Sequence, residues 1–350
     1  MNHLKEILNC IEPASREWEK KAEYRLKSLA MPPWALGKML DLAKQCSAIS
    51  RSIDLDYSRR KTFVLAGDHG VLEEGVSAYP KEVTAAIVKT ILSGGAGINI
   101  IAKESQSDIE VVDLGMATKI DYSGELKLNH QNIAMGTQNM TKGPAMSRAQ
   151  AIKSIEVGLN LLKRSEVDYD VFAIGEMGIG NTTPATAILC SLGGCLPEEV
   201  TGRGAGIDDK MLQHKILIIK KSLEVNACDP NDPIAVLASL GGYEIGGMVG
   251  LILGCALAKK PVLIDGFIAT SAALIAQRIN PLSTDYMIAA HKSAEPGHIK
   301  MLKILNKEPF LDFQFRLGEG TGATLALPML NVAASLLKNM FTLEEALAIH

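Results

Sequence analysis

The chain has 350 residues, of which 47% are hydrophobic and 21% are charged, and its formal net charge is -3. Without a long basic block, this balance gives no reason to expect binding to nucleic acid or to an anionic membrane. Glycine is frequent, with 31 residues, and aromatic residues make up only 5%. This mixture favours an α/β enzyme with glycine-rich loops over a β-sandwich.

No stretch of the chain indicates export or a membrane. The N-terminal sequence MNHLKEILNC has no apolar signal core. The longest apolar run, residues 245–258, is too short for a membrane span, so we expect a buried helix there. The six cysteines are scattered, with no CxxC pair and no neighbouring set of histidines, which argues against disulfides and structural zinc. We therefore predict a protein of the reducing cytoplasm.

The first 60 residues show helical spacing and no strand pattern. In SREWEKKAEYRLKSLA the apolar residues recur at helical spacing, with Ser15 as a candidate N-cap. A second helical pattern follows the Pro32–Pro33 pair. The last 20 residues or so return to a helical pattern as well.

Short apolar runs, each ending in glycine or a polar residue, recur along the rest of the chain. They lie in residues 61–71, 108–117, 169–183, 261–267 and 285–293. Helical stretches separate most of them, and this alternation predicts a parallel sheet with crossover helices. Ligands of such sheets bind beyond the carboxyl ends of the strands, where these polar residues fall. Residues 128–147 are polar and weakly periodic, so we expect a long loop or flap there.

The segment GEMGIGNTTPA, residues 175–185, has the strongest functional pattern. Gly178 and Gly180 permit close backbone approach, and Asn181 and Thr182 supply donors where a helix begins. Backbone N–H groups in such a loop can bind an anion, although the segment is neither a P-loop nor a dinucleotide fingerprint. A tight strand-to-helix turn is the alternative. Glu176 would face this anion-binding loop, where a negative charge is energetically unfavourable. Its presence there without a function would be hard to explain, so it favours a ligand site.

A second glycine loop occurs in TGRGAGIDDKMLQHK, residues 201–215. It contains Gly204 and leads into a helix that carries Lys215. A backbone nest with one lysine can hold a phosphate monoester without a metal. Taken alone, the pattern fits a surface turn with a solvated lysine better. Two such loops in one α/β frame favour a shared phosphate site.

Two histidine-containing loops give weaker signals. Asp68 and His69 end the first apolar run, and without further ligands at metal spacing we expect them to organise their loop through hydrogen bonds. The sequence HKSAEPGH, with His291 and His298, lacks the third ligand of a zinc site. We expect this loop, including Ser293, to line a substrate without a metal.

The segment RLGEGTGA, residues 316–323, places Glu319 among three glycines. A carboxylate in such a turn is not screened by neighbouring side chains and can reach a ligand. Partial burial would raise its pKa and suit it to act as a general base. An acid that only complements a helix dipole would not need three nearby glycines. We favour the catalytic interpretation.

Seven blocks of the sequence, taken together, resemble the nicotinate-nucleotide:dimethylbenzimidazole phosphoribosyltransferases, the CobT family of cobamide biosynthesis. The blocks are MPPWALGKM, AGDHGV, GEMGIGNTTPA, LASLGGYEIGGMVG, DGFIATSAAL, SAEPG and RLGEGTGA. They run in family order from near residue 30 to residue 330, so the resemblance covers nearly the whole chain. It implies a Rossmann-like parallel-sheet large domain, residues 61–330, and a small helical domain from residues 1–60 and 331–350.

The resemblance also implies a pentosyltransferase, which moves phosphoribose from nicotinate mononucleotide to a cobamide lower-ligand base and releases nicotinate. The family's catalytic glutamate falls on Glu319, as general base, and an assisting glutamate falls on Glu176. Contacts to phosphate and ribose are expected at Gly178, Gly180, Asn181, Thr182, Gly204 and Lys215. His291 and Ser293 are expected on the nicotinate side. No metal or other cofactor is implied, and the family pattern is a dimer in which the neighbouring subunit completes each site.

The predicted acceptor pocket departs from the family pattern. Members that use benzimidazole typically carry a serine and a glutamine where this chain has Tyr79 and Ile87. Tyr79 would fill volume and Ile87 would remove an amide, so the pocket, with Met177 and Leu317, should be smaller and less polar. Phenol or p-cresol, attacking through oxygen, would fit that change. Tyr79 and Met177 are equally open to interpretation as neutral packing changes, which keeps 5,6-dimethylbenzimidazole or a purine as acceptor.

Two other functions stay open. The chain could be a catalytically idle paralogue that serves as the structural partner of an active subunit in a heterodimer. It could also be a regulator that binds a nucleotide without consuming it. The presence of Glu319, Glu176 and Lys215 argues against the idle paralogue.

Overall fold

A six-stranded sheet, in which every pairing is parallel, forms the centre of the molecule. The computed structural model describes residue 6, residues 8–122, residue 124 and residues 126–349. In chain order the strands are β1 (Arg60–Gly67), β2 (Ser107–Gly115), β3 (Leu128–His130), β4 (Val171–Met177), β5 (Val262–Ile264) and β6 (Met287–Ala289).

The strand order is β3-β2-β1-β4-β5-β6, which is that of a doubly wound Rossmann sheet. The chain moves outward from β1 to β3 and then returns to place β4 beside β1, so the carboxyl ends of β1 and β4 flank the switch point. The predicted α/β parallel sheet is confirmed. The expected loop at residues 128–147 is wrong at its start, because β3 pairs with Val111, Val112 and Asp113 of β2. That pairing is a tertiary contact that a weak local pattern does not reveal.

Helices cover both faces of the sheet and fill the two chain ends. They are α1 (Arg16–Ser28), α2 (Lys38–Ser50), α3 (Glu82–Leu92), α4 (Gly97–Glu104), α5 (Arg148–Ser165), α6 (Thr182–Gly193), α7 (Pro197–Val200), α8 (Asp209–Asn226), α9 (Pro233–Leu240), α10 (Tyr243–Ala258), α11 (Phe267–Ile279), α12 (Pro296–Ile304), α13 (Thr321–Asn339) and α14 (Leu343–Leu347). Short 3₁₀ helices occupy Gly70–Glu74 and Pro281–Tyr286.

The apolar run at residues 245–258 is a buried helix, as predicted, and belongs to α10. Its glycines let it approach α5 closely. A Cβ on Gly158 would lie 2.0 Å from the carbonyl oxygen of Gly247, and one on Gly250 would lie 2.0 Å from that of Ile155. Because no side chain fits there, the two helices pack backbone to backbone and hold α10 beneath β1, β2 and β4.

The two ends of the chain meet in a helical layer. Ser15 caps α1 as predicted and accepts the Trp18 N–H at 3.4 Å. Arg25 of α1 donates from Nε to the Leu337 carbonyl of α13 at 3.1 Å, and α2 also packs on α13. The division into residues 1–60 plus 331–350 and residues 61–330 stays a prediction, and residues 1–5, 7 and 350 of its smaller part lie outside the described residues.

In the described part of the chain, one stretch, Glu82–Glu104, has the length and apolar composition of a membrane span. It is not one continuous helix, because α3 ends at Leu92 and α4 begins at Gly97. Helix α3 packs on β1, β2 and β4, and α4 packs on β2 and α13. These contacts explain its apolar residues as core, and the cytoplasmic location stays a prediction.

Candidate active site

Strand β4 ends at the switch point with a buried acid, Glu176. Its Oε2 accepts a hydrogen bond from Asn181 Nδ2, at the start of α6. Burial raises the pKa of Glu176 to about 8, and the neighbouring carboxylates of Glu244, Asp265 and Glu319 add to that rise, against the opposing effect of Asn181. Near neutral pH Glu176 is therefore mainly a neutral acid that can donate a hydrogen bond.

The predicted base, Glu319, lies in a left-handed turn. Gly318, Glu319 and Gly320 have φ values of 84°, 60° and 78°. For a residue with a side chain, such as Glu319, this conformation costs about 1–2 kcal/mol. The turn also passes directly over β4, since a Cβ on Gly175 would lie 2.1 Å from the backbone nitrogen of Gly320. The glycines therefore permit both the backbone conformation and the close approach.

This turn brings Glu319 against Glu176. The backbone N–H of Glu319 donates to the Glu176 carbonyl at 3.1 Å, and a Cβ on Gly318 would lie 2.6 Å from Glu176 Oε1. Burial raises the pKa of Glu319, and Asp265 adds to the rise. The negative charge of Glu319 is one of the smaller contributions to the raised pKa of Glu176.

The carboxylate of Glu319 also meets a helix N-terminus. Its Oε2 accepts the Ile98 N–H at 3.4 Å, in the first turn of α4, and this bond opposes the rise of its pKa. Glu319 therefore does interact with the dipole of a helix, as the alternative interpretation of the sequence proposed. The helix is α4, which is distant in sequence, and not α13, which follows Glu319 directly. The long Ile98 contact can break at small cost when a substrate approaches.

The two glycine loops meet at Lys215. Its Nζ donates to Thr182 Oγ1 at 2.7 Å and to the Gly202 carbonyl at 3.3 Å. Gly204, with φ of 52°, lies directly above, so that a Cβ there would be 3.1 Å from Thr182 Oγ1. Burial lowers the pKa of Lys215 to about 8, while Glu295 opposes the change. An incoming phosphate would raise the pKa of the amine again and accept its remaining donor.

The loop after β6 forms the opposite wall. His291 Nε2 lies 3.3 Å from Asp265 Oδ1, which also accepts the Ala323 N–H at 2.9 Å. Burial alone would lower the pKa of His291, but the Asp265 carboxylate raises it above the ordinary value. Glu295 follows on the same loop and accepts the Gly204 N–H at 3.0 Å. These bonds tie the loop after β6 to α13 and to the second glycine loop.

Two adjacent cavities open between these elements. The smaller, of about 120 Å³, is lined by Glu176, Thr182, Gly204, Ala205, Asp265, Gly266, Phe267, Ile268, Ala269, His291, Ser293, Glu295, Arg316, Leu317 and Gly318. The larger, of about 370 Å³, is lined by Ile101, Gly204, Ala205, Phe315, Arg316, Leu317 and Thr321. They share four residues, so they form one continuous site at the carboxyl edge of the sheet.

The predicted site residues fall into two groups. Six of them line the smaller cavity, namely Glu176, Thr182, Gly204, His291, Ser293 and Leu317. Gly178, Gly180, Asn181, Lys215 and Glu319 do not line it, but Asn181, Lys215 and Glu319 bond to or adjoin residues that do. Sequence reasoning missed Asp265 and Glu295. Asp265 directly follows the apolar run of β5, and its position at a strand end was a usable signal.

The acceptor-pocket residues are more dispersed. Leu317 is 58% exposed and lines both cavities. Tyr79, in the turn before α3, is 49% exposed and lines neither cavity. Ile87 of α3 and Met177 of β4 pack together in a second apolar cluster on the α3 side of the sheet.

Asp68 and His69 hold the loop behind the site together. Asp68 Oδ2 accepts the Ala117 N–H at 2.8 Å, and His69 Nε2 lies 2.8 Å from Oε1 of buried Glu244. Burial opposes protonation of His69, but Glu244 raises its pKa. Gly178 packs directly over this pair, since a Cβ there would lie 3.3 Å from His69 Nε2. The pair therefore supports the loop after β4.

No group of three or more His, Cys, Asp or Glu side chains in residues 8–122 and 126–349 is placed to hold a metal ion. The described residues bring to the site several buried acids, the buried Lys215, His291 and the exposed Arg316. Such a set can bind an anion and move a proton.

Comparison with known proteins agrees with this geometry. A family model described as phosphoribosyltransferase matches residues 11–347. Two proteins named nicotinate-nucleotide–dimethylbenzimidazole phosphoribosyltransferase, from Desulforamulus reducens and Syntrophotalea carbinolica, are 47% and 46% identical to this chain. Each alignment covers 99% of this chain, and 99% and 98% of those proteins, respectively.

Solved structures are similar over the same extent. A crystal structure of the phosphoribosyltransferase of that name from Thermus thermophilus has a TM-score of 0.89 and 36% identity, covering 96% of this chain and 99% of that one. A structure described as CobT from the same organism has a TM-score of 0.90 and 37% identity, with coverage of 95% and 99%.

Proposed function

Because this chain belongs to the phosphoribosyltransferase family, we propose that it transfers phosphoribose from nicotinate mononucleotide to an aromatic acceptor and releases nicotinate. The relatives named above carry nicotinate nucleotide and dimethylbenzimidazole in their names, and the site described here offers matching chemistry. The product is the α-riboside phosphate of the acceptor, a precursor of a cobamide lower ligand.

The reaction forms one bond and breaks one bond at the anomeric carbon of the ribose. A ring nitrogen, or a phenolic oxygen, bonds to that carbon while its bond to the pyridinium nitrogen breaks. The electron pair of the broken bond neutralises the pyridinium, so the leaving group needs no acid. The acceptor loses one proton, which a single general base can take and later give to water.

Glu319 carries the proposal. It is a buried carboxylate with a raised pKa, held by a strained glycine turn against a second buried acid, Glu176. A raised pKa gives the ionised carboxylate of Glu319 a higher affinity for the proton of the acceptor. Glu176, kept neutral at neutral pH, leaves the negative charge on Glu319 and can donate a hydrogen bond to the ribose or to that carboxylate.

The phosphate belongs in the corner formed by Lys215, Thr182 and Gly204. Thr182, the first residue of α6, contributes its hydroxyl to this corner, and a side chain at Gly204 would crowd it, since a Cβ there would lie 3.1 Å from Thr182 Oγ1 and 3.6 Å from Lys215 Nζ. Gly178, Gly180 and Asn181 shape the first loop. Binding the phosphate here would fix the nucleotide, and holding both reactants in line supplies much of the rate acceleration.

The acceptor belongs in the larger cavity, whose side chains Ile101, Phe315 and Leu317 are apolar. A flat ring suits that surface, whether 5,6-dimethylbenzimidazole, adenine, phenol or p-cresol. We favour a phenol on the sequence difference alone, because Tyr79 and Ile87 replace the serine and glutamine of benzimidazole-using members. Neither residue, nor Met177, lines the larger cavity. A phenolic hydroxyl has a pKa near 10, so it would depend strongly on Glu319.

The test measures nicotinate release. Purified protein is incubated with nicotinate mononucleotide and each of dimethylbenzimidazole, adenine, phenol and p-cresol. The Glu319→Gln variant should be nearly inactive, and Glu224→Gln, at an exposed position on α8, should match the wild type. If the protein releases no nicotinate with any acceptor, either by itself or with a paralogous chain added, the proposal that it is an enzyme is overturned. Tight binding of the nucleotide without release of nicotinate would indicate a regulator. Turnover of dimethylbenzimidazole without phenol turnover would exclude the phenolic acceptor.

We also propose that the enzyme works as a dimer, either of identical chains or with a paralogue. Leu317, which lines the larger cavity, is 58% exposed, and Phe313, whose ring lies 5.8 Å from that of the lining residue Phe315, is 60% exposed. A second chain would cover this surface and exclude water from the reaction. Sedimentation of the protein at assay concentration tests the proposal, and a fully active monomer would overturn it.

A further inference from the structure

Arg316 is a cation at the site, and no residue that the structure describes pairs with it. It lies on the loop before α13 and lines both cavities. Among the described residues every other arginine except Arg16 donates to an acceptor; these are Arg25, Arg51, Arg59, Arg60, Arg148, Arg164, Arg203 and Arg278. The planar guanidinium of Arg316 is therefore free to bind a ligand with several N–H groups.

The wall that Arg316 shares is acidic. Glu176, Asp265 and Glu295 line the smaller cavity with it, and none of them pairs with it. The other cation of the site, Lys215, is buried and bonded behind the glycine loops. Beside His291, which faces Asp265, the described part of the site thus has a deep cationic position at Lys215 and another at the mouth at Arg316. A ligand with two separate anionic groups would match this arrangement.

We propose that Arg316 binds the ring carboxylate of nicotinate mononucleotide and so selects the acid over the amide form of the nucleotide. This inference rests on the proposed function, because it assigns the second anionic group of that substrate. Lys215 and the glycine loops serve the phosphate, and Arg316 is left for the carboxylate. A guanidinium matches both oxygens of a carboxylate with two parallel N–H bonds, which a carboxamide cannot accept.

The same pairing acts on the leaving group. Without Arg316, the ring carboxylate would face Asp265 and Glu295 of the smaller cavity, whose negative charges would repel it. After transfer, free nicotinate keeps its carboxylate and its contact with Arg316. Nicotinate should therefore inhibit the enzyme competitively with the nucleotide, and nicotinamide should inhibit it much less.

The experiment compares kcat/KM for nicotinate mononucleotide and nicotinamide mononucleotide in the wild type and in Arg316→Gln, Arg316→Lys and Arg16→Gln. Losing a charge-assisted pair should lower kcat/KM for the acid nucleotide by about 10- to 100-fold in Arg316→Gln. The amide nucleotide should change little. The kcat/KM of Arg316→Lys for the acid nucleotide should lie between those of the wild type and Arg316→Gln, because lysine keeps the positive charge but lacks the paired N–H donors of the guanidinium. Arg16, an exposed and unpaired arginine of α1, is the matched control and should change neither value.

An equal loss for both nucleotides, or no loss for either, would overturn the assignment of Arg316. Inhibition constants of nicotinate and nicotinamide give the same comparison if the amide nucleotide is not turned over. If the wild type transfers phosphoribose to no acceptor, the proposed function fails first. Calorimetric binding of nicotinate and nicotinamide then decides the matter: a preference for nicotinate that disappears in Arg316→Gln supports the inference, and no preference overturns it.

Discussion

Replacing Glu176 with glutamine should remove the loss of stability that ionisation of Glu176 causes between about pH 6 and pH 9. Burial raises the pKa of Glu176 from 4.5 to about 8, so the folded state favours the neutral acid. A carboxyl group of this kind contributes its full stability below its unfolded pKa, and that stability is lost as pH rises through the folded pKa. Its ionisation costs about 1.4 kcal/mol for each pH unit, so the wild type should lose about 3 kcal/mol between about pH 6 and pH 9 through this group.

Urea unfolding of both proteins at those two pH values measures the effect. Glutamine has nearly the same shape as the protonated acid and can still accept the hydrogen bond from Asn181. Lys215 and the other groups titrate in both proteins, so the difference between the two isolates Glu176. The Glu224→Gln variant, at an exposed position, should behave as the wild type does. If Glu176→Gln lost as much free energy of unfolding as the wild type, Glu176 would already be ionised at the lower pH and the reasoning would fail.

Three further outcomes are expected. Glu319→Gln should lower kcat at least about 100-fold, because glutamine cannot take the acceptor's proton. The affinity for the nucleotide, measured by calorimetry, should not change. An unchanged kcat would show that Glu319 is not the general base. Lys215→Met should weaken nucleotide binding by about 10- to 100-fold, because it removes the cation that binds the phosphate. The melting temperature should not fall, since burying the charge of Lys215 costs free energy in the wild type. Equal nucleotide affinity in the variant and the wild type would contradict the assignment of the phosphate to Lys215. Gly175→Ala should cost about 2–3 kcal/mol in urea unfolding because its methyl would lie 2.1 Å from the Gly320 nitrogen, whereas Gly95→Ala, whose methyl meets nothing closer than 3.6 Å, is the control.

The fold was largely predictable because its signals are local. A strand buried on both faces of a parallel sheet is mostly apolar over its buried part, and β1, the second half of β2, and β4 show that pattern in the sequence. The glycine loop after β4 was recognisable for the same reason, since its backbone geometry restricts the residue types. The edge strand β3 was missed, because its three half-exposed residues are strand only through pairing with β2.

The sequence alone therefore determined the parallel α/β architecture, the family and the position of Glu319 in a glycine turn, because each of these depends on residues that are neighbours along the chain. The tertiary structure decided what faces each group. It brought Lys215 to Thr182, set Glu319 against Glu176 and the first turn of α4, and left Arg316 without a partner beside an acidic wall. These contacts depend on the burial and charge of side chains from segments that are far apart in sequence and on the distances between them. No local sequence pattern encodes such contacts.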